Sequence, residues 1–541
     1  MKNSYKFKRN IEIGSLTAEN DAFLLKTFVE KPELKLLQEV NESKCIILGR
    51  TGIGKSALIK YLEAHENHLV RIEPEAMSLR HLSNSNIISY FKALDIKLDL
   101  FYKVLWKHVF IVELIKLHFG DDHTRTSNIL DWFKEQFRND KRKKKAIDYL
   151  EKWEHHFWEN TEHRIKEIED VLENNFKSSI GGDADLYELF KASGEISFEK
   201  SNSKNIKTEL LHKAQKVVNE IQIEEIKDLM SILAEELFNH TQKKYFIIID
   251  DLDKDWVDSS IVYDLIKALI NTVNEFRQIK QTKIVVALRT NILRKSLFQN
   301  ITRGIQREKY NHLYIDLDWT EEELEKLLNN RIKELMRGTY TTESPTIGDI
   351  LPEASGKSIS GFQYIVERTL MRPRDVIDFF NKCIKHADGK TKITREILKK
   401  AEDEYSHERL RALNDEWQEN YGSLYVIYSF LKGGAHSFKL GEVVDIAKES
   451  FIGLMSANEH LNLSDDLKAS FEKFGEDFNE RNLLERILVI LYEVGMLGIK
   501  LSPEQPIDYI NTAYSSFRPE DIREDSKFYI HKMFYKSLRI I

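Results

Sequence analysis

The segment Cys45-Ile-Ile-Leu-Gly49-Arg50-Thr51-Gly52-Ile53-Gly54-Lys55-Ser56-Ala57-Leu58 constrains the fold more than any other part of the chain. It contains G-x-x-x-x-G-K-S, with a short apolar run before it and apolar residues at helical spacing after it (Ala57, Leu58, Tyr61, Leu62). A buried strand, a glycine turn and a helix in that order form a phosphate-binding P-loop. Glycine adopts the dihedrals that let backbone wrap around phosphate oxygens, and the amides at the helix N-terminus face the anion. Residues 49–57 are therefore the expected nucleotide contacts, with Lys55 reaching the β- and γ-phosphates and the Ser56 hydroxyl ligating Mg²⁺.

A P-loop needs an acid at the end of a neighbouring strand. Tyr245-Phe-Ile-Ile-Ile249 reads as a strand buried on both faces, and it runs into Asp250-Asp251-Leu-Asp253. Asp250 is expected to hold the metal through water, and Asp251 to orient or deprotonate the attacking water. A further strand, Lys283–Leu288, ends in Arg289. Ligands of parallel α/β sheets bind at the carboxyl ends of strands, so Arg289 is expected to face the γ-phosphate. Farther on, Met371-Arg372-Pro373-Arg374-Asp375 opens a helix, since proline suits a first helical turn. Arg374 is the expected sensor of bound phosphate from a helical lid, with Arg372 the alternative.

The order of P-loop, strand ending in Asp-Asp, strand ending in Arg, and Arg-Pro-Arg resembles the bacterial P-loop ATPases of the KAP, STAND and initiator-type AAA+ lineage. It looks closest to stand-alone ATPases with a Gly-Arg-x-Gly-x-Gly-Lys-Ser loop and an Ile-Asp-Asp-Leu-Asp strand end. Ala18-Glu-Asn-Asp21, Leu105-Trp106-Lys107-His108-Val109, Glu308-Lys309-Tyr310, Leu317-Asp-Trp319-Thr320, Tyr405-Ser406 and Asp415-Glu416-Trp417 share that flavour. The likeness covers most of the chain, although only the nucleotide motifs are chemically specific. It implies ATP and Mg²⁺ as cofactors, a homo-oligomer with an effector protein partner, and neighbourhoods of genome defence and mobile elements. Two departures stand out. Asp250-Asp251 replaces the Asp-Glu usual in AAA+ proteins, and the hydrophobic spans of membrane KAP proteins are missing. A trans-acting arginine falls to Arg303 or Arg307, which nothing local separates.

The expected fold is an α/β P-loop NTPase core, AAA+/STAND-like, formed by residues 41–84 and 239–318 after an N-terminal segment at 1–40. The strand Leu69–Ile72 belongs to this core. Residues 85–238 form a large helical insertion, 319–408 a helical lid, and 409–541 a winged-helix-like domain. In the insertion, Leu98, Phe101, Leu105, Val109 and Val112 recur at helical spacing, and Leu150 to Leu172 mark a second amphipathic helix. In the lid, Thr320 is the expected N-cap of a helix over Glu321–Met336, with further helices at Phe362–Leu370 and Asp375–His386. Leu424–Leu431 and Leu483–Val494 read as helices of the last domain, and the short strands near Met496–Leu501 and Phe528–Ile530 suggest the wing.

Composition narrows the remaining classes. With 541 residues, 42% hydrophobic, 31% charged and a net charge of −7, the chain has room for several globular domains and no global basic signature. Lys141–Lys145 is the sharpest basic cluster, and acids surround it. His155, His156 and His163 match no known metal site, and the R-x-x-x-x-H spacing of Arg307 and His312 lacks the helical pairing of a ribonuclease. The cysteines, Cys45 and Cys383, lie far apart in apolar surroundings and read as reduced. The first residues contain no apolar signal core, and Val104–Phe119 is interrupted by Lys107, His108, Glu113 and Lys116. A cytoplasmic, non-membrane protein is expected. Three readings stay open: an ATP-hydrolysing switch, a DNA-binding remodelling ATPase, and a nucleotide-stabilised scaffold.

Overall fold

The computed structural model describes residues 5–74, 96–119, 224–239, 242–252, 259–293, 307–337, 345–418, 421–457, 480–502, 504–510 and 519–541, with isolated helical residues between them. The chain folds into two compact units. One comprises residues 31–50 and 58–317, the other residues 1–30, 51–57 and 318–541. The division passes on either side of the glycine loop.

The first unit is built on a parallel sheet of five strands: β1 (Ile46–Gly49), β2 (Leu69–Ile72), β3 (Tyr245–Ile249), β4 (Thr282–Arg289) and β5 (Tyr314–Asp316). Their order is β2-β3-β4-β1-β5. β1 and β3 are buried throughout and β4 up to Arg289. Such strands read as continuous aliphatic runs because helices cover both faces of a parallel sheet. Arg289, expected just beyond its strand, is its last residue.

Helices of this unit are α1 (Pro32–Gln38), α2 (Lys55–His65, which begins in the other unit), α3 (Asp99–Phe119), α4 (Glu224–Ile232) and α5 (Ser259–Phe276). The helical spacing of Leu98, Phe101, Leu105, Val109 and Val112 corresponds to α3. Its Trp106 indole donates to the Leu265 carbonyl on α5 at 2.9 Å, and Phe110 meets Phe276 edge to face at 5.2 Å. Among the described residues no helix is long and apolar enough to cross a membrane. The basic cluster at 141–145, the histidines at 155, 156 and 163, the helix expected over 150–172, and Arg303 lie outside the described residues.

In the second unit, α6 (Glu321–Met336) starts at a capping box: Thr320 Oγ1 accepts from Glu323 N at 3.2 Å, and Thr320 N donates to Glu323 Oε2 at 3.0 Å. Its buried Arg331 pairs with Asp21 at 2.6 Å and donates to the Ile13 carbonyl, which fastens the N-terminal segment to this helix. Helix α7 spans only Gly361–Val366, shorter than the expected run to Leu370. Met371 takes a left-handed φ of 52°, and Pro373 then starts α8 (Pro373–His386). Helix α9 (Arg395–Trp417) packs on α8, with Phe379 and Tyr405 rings 5.0 Å apart, and it runs across the expected boundary at 408/409.

The expected Leu424–Leu431 helix is a single turn, Leu424–Ile427, followed by a tighter turn at Ser429–Leu431. Beyond it, β6 (Ser437–Lys439), α10 (Leu440–Ala457), α11 (Glu480–Glu493), β7 (Leu497–Lys500), β8 (Asp508–Tyr509) and β9 (Lys527–Ile530) complete the unit. The four strands form an antiparallel sheet in the order β6-β9-β7-β8. Helix α11 is held by Leu483, Leu484, Ile487, Leu488 and Leu491, and these belong to one core with α6, α8 and α9. Both cysteines are free and buried, and burial pushes the Cys45 thiol up to about 12.

Candidate phosphate-binding loop and acidic strand end

Sheet register decides what shares an edge in the first unit. Ile46 pairs with Val286, and Val286 with Ile249, so these three form one row across β1, β4 and β3. One residue beyond Ile249 is Asp250. Three beyond Ile46 is Gly49, which pairs with Arg289. The strands are parallel, so Gly49, Arg289 and Asp250 all leave the sheet at the same carboxyl edge. β1 and β3 are separated by a single strand, a lateral spacing of about 10 Å. This is where ligands of open α/β sheets bind.

The acidic end has its own internal order. Asp250 is almost fully buried, and its Oδ1 accepts the Asp251 amide at 2.9 Å. Asp251 sits at φ 60°, the left-handed region that aspartate tolerates better than most residues. Arg71 of β2, which the sequence reading passed over, faces both acids. Its Nη2 is 3.1 Å from Asp251 Oδ2 and 3.7 Å from Asp250 Oδ2, and its Nη1 is 3.5 Å from Glu63 of α2. Burial favours loss of the Arg71 proton, but the charges of Asp250, Glu63 and Asp251 outweigh it and hold its pKa above the ordinary value. An edge arginine inside an aliphatic strand was the one available signal.

In the second unit the loop 51–57 has Gly52 at φ 81° and Gly54 at φ 112°. A Cβ on Gly52 would stand 2.9 Å from the Cβ of Arg374, so glycine is required there by space as well as by dihedral. Three successive carbonyls of this loop accept hydrogen bonds: Thr51 O from Arg372 Nη1 at 2.9 Å, Gly52 O from Arg374 N at 3.4 Å, and Ile53 O from Trp319 Nε1 at 2.8 Å. Arg374 donates from Nε to the Leu16 carbonyl at 3.1 Å, and burial lowers its pKa. Arg372 reaches a loop carbonyl while Arg374 packs its stem on Gly52. Trp319, quoted above only within a family-like segment, touches the loop directly.

The residues fit a nucleotide phosphate. The loop's carbonyls are engaged on one side, and the Thr51 hydroxyl is buried without a hydrogen-bond partner among the described residues. Among those residues no group of three or more His, Cys, Asp or Glu would hold a metal alone. Magnesium at phosphate sites takes one or two protein oxygens, with phosphates and water completing the shell. Arg307 opens a 3₁₀ turn, Arg307–Leu313, that leads into β5.

A five-stranded parallel sheet with a glycine loop between β1 and α2 is the architecture of a P-loop NTPase core. Residues 322–414 match the family described as the FunZ-associated C-terminal helical domain, a stretch that runs from α6 almost to the end of α9. The chain is 24% identical over 502 residues to a putative transposon gamma-delta 80.3 kDa protein of Escherichia coli (strain K12). That alignment covers 90% of this chain and 61% of the relative, so the chain spans about three fifths of the relative's length. Among solved structures, a Walker-type ATPase of Pyrococcus abyssi aligns over 95% of this chain and 96% of its own at 11% identity, with a TM-score of 0.37. Cdc6p from Pyrobaculum aerophilum aligns over 61% and 77% at 16% identity, with a TM-score of 0.20.

Proposed function

We propose that the protein binds and hydrolyses Mg-ATP and uses the nucleotide state to change how it assembles with itself or with a partner protein. The observation that carries this reading is the shared carboxyl edge of β1, β4 and β3, with Gly49, Arg289 and Asp250 in neighbouring positions. Loop amides at 51–57 and the Lys55 ammonium bind and orient the phosphates. Magnesium, when bound, would neutralise phosphate charge, held by the Ser56 hydroxyl and, through water, by Asp250. Asp251 positions the attacking water and accepts its proton, while Arg289 and Arg374 read the terminal phosphate. A trans arginine, if the protein forms a ring, is Arg303 or Arg307. Phosphate release by wild type, Lys55→Ala and Asp251→Asn, run beside a sizing column with and without ATP, tests the reading. It requires turnover in wild type alone and an elution shift with ATP. Equal turnover in all three proteins removes it.

A second reading concerns residues 409–541. The strand order β6-β9-β7 with α10 and α11 inserted after β6 supports a winged helix, a fold used for DNA among other partners. The buried side of α11 serves as core, and on its outer side Arg481 is paired with Glu485 and Glu524, which favours protein docking. DNA affinity that falls steeply with salt would instead favour a remodelling ATPase. We place the protein in mobile-element or genome-defence settings on the resemblance stated above and on the transposon in the relative's name. Loss of a phage-plating or transposition phenotype in Lys55→Ala tests that placement.

A further inference from the structure

A phosphate loop works only if its amides point inward, and its carbonyls must then point away and find donors elsewhere. Here the donors come from two side chains remote in sequence. Arg372 Nη1 meets Thr51 O at 2.9 Å, and Trp319 Nε1 meets Ile53 O at 2.8 Å. Arg372 is itself clamped. Its Nε and Nη2 donate to the two carboxylate oxygens of Asp375 at 2.8 and 3.3 Å, and both side chains are almost wholly buried. Asp375 also accepts the Leu370 amide at 3.3 Å and faces Arg409 Nε of α9 at 3.7 Å. Burial would raise the Asp375 pKa, but Arg372 and Arg409 outweigh it and hold the carboxyl below its ordinary value. The carboxylate is thus a fixed charge that sets the angle of the Arg372 fork. Met371, at φ 52°, immediately precedes Arg372, which is the N-cap residue of α8.

We infer that Arg372 and Trp319 are positioning residues for the phosphate loop, holding the carbonyls of Thr51 and Ile53 outward so that the loop is shaped for an anion before one arrives. Neither touches substrate. The charge chain Arg372–Asp375–Arg409 makes the loop a mechanical extension of α8 and α9. The inference rests on the nucleotide-binding reading for its consequence, though not for its structural content.

Two conservative variants in the full chain test it. Arg372→Lys keeps a cation beside Asp375 but loses the fork that reaches Thr51. Trp319→Phe keeps a ring and loses the indole donor. In the protein without nucleotide, amide hydrogen exchange at residues 51–57 should quicken about tenfold in each variant, the scale of one hydrogen bond, with exchange in β1, β3 and β4 unchanged. The Kd for Mg-ATP should rise about tenfold by calorimetry. Loop exchange identical to wild type overturns the inference whatever nucleotide does. Faster loop exchange in a protein whose wild type fails to bind Mg-ATP sustains the strut and removes the nucleotide reading instead. Faster exchange with unaltered affinity in a binding-competent protein overturns the positioning role.

Discussion

Arg71 donates from Nη2 to Asp251 Oδ2 at 3.1 Å, and the same guanidinium spans to Glu63 on the helix that follows the glycine loop. A cation on the edge strand thus holds the two acids that end β3 together with the P-loop helix. The consequence is a site whose negative charges are already compensated before a metal reaches them.

Arg71→Met leaves Asp250 buried beside Asp251 with no guanidinium between them. Losing a partner from a largely buried charged pair costs about 1–3 kcal/mol. The melting temperature of the metal-free protein should fall, and MgCl₂ should restore part of the loss in the variant while changing wild type little. An unchanged melting temperature would show that the pairing contributes nothing.

Asp251 has a chemical and a backbone demand on it. Asparagine tolerates φ near 60° as aspartate does, so Asp251→Asn should keep the backbone and still bind Mg-ATP, losing in stability only the share of its ion pair with Arg71. Its turnover should drop by about 10²–10⁴, the range for loss of a general base. Asp251→Val should lose stability as well, because a β-branched residue is poorly accommodated in the left-handed region. Single-turnover kinetics and melting curves of the two variants separate the demands.

Gly52→Ala should fail at the loop. The dihedral and the 2.9 Å approach to Arg374 Cβ both oppose a methyl group. The expected strain is about 1–2 kcal/mol, with nucleotide affinity reduced further than stability. Calorimetry against Mg-ATP together with a melting curve would register both.

Lys283 provides a pH dependence away from the site. Its Nζ donates to the carbonyls of Leu36 and Glu39 at the end of α1, and burial pulls its pKa down to about 8 from an ordinary 10.5. The folded protein therefore releases this proton earlier than the unfolded chain. Between about pH 8 and 10.5 the unfolded state binds more protons, so this lysine makes stability rise with pH, by at most about 3 kcal/mol. Comparing denaturation at several pH values in wild type and Lys283→Met isolates the effect: the difference in stability should move in favour of wild type across that window. A constant difference would contradict it.

Much of this arrangement was legible in the residues. The aliphatic runs ending in Gly49, Asp250 and Arg289 were visible as strands because a doubly covered sheet leaves no polar alternation. Thr320 marked the start of α6 as an N-cap residue, while its reciprocal partner Glu323 is seen only in the structure. What stayed hidden was set by distance along the chain. Strand order follows from packing, and the neighbours of β4 are strands far apart in sequence. Arg71, Trp319 and Arg372 each reach a residue more than a hundred positions away, and no local pattern announces such pairs. The short α7 and the single turn at Leu424–Ile427 show the complementary limit: an apolar period continued where the helix had already ended, at Glu367 and at Tyr428.

The central claim is that one chain edge binds a magnesium-bound triphosphate. Equilibrium binding of ATP, with and without Mg²⁺, to wild type, Lys55→Ala and Asp250→Asn tests it most directly. The account predicts binding by wild type that strengthens with Mg²⁺, loss of binding in Lys55→Ala, and in Asp250→Asn a retained affinity that no longer responds to the metal. Wild-type protein that fails to bind ATP, or Lys55→Ala that binds it as wild type does, would contradict the account.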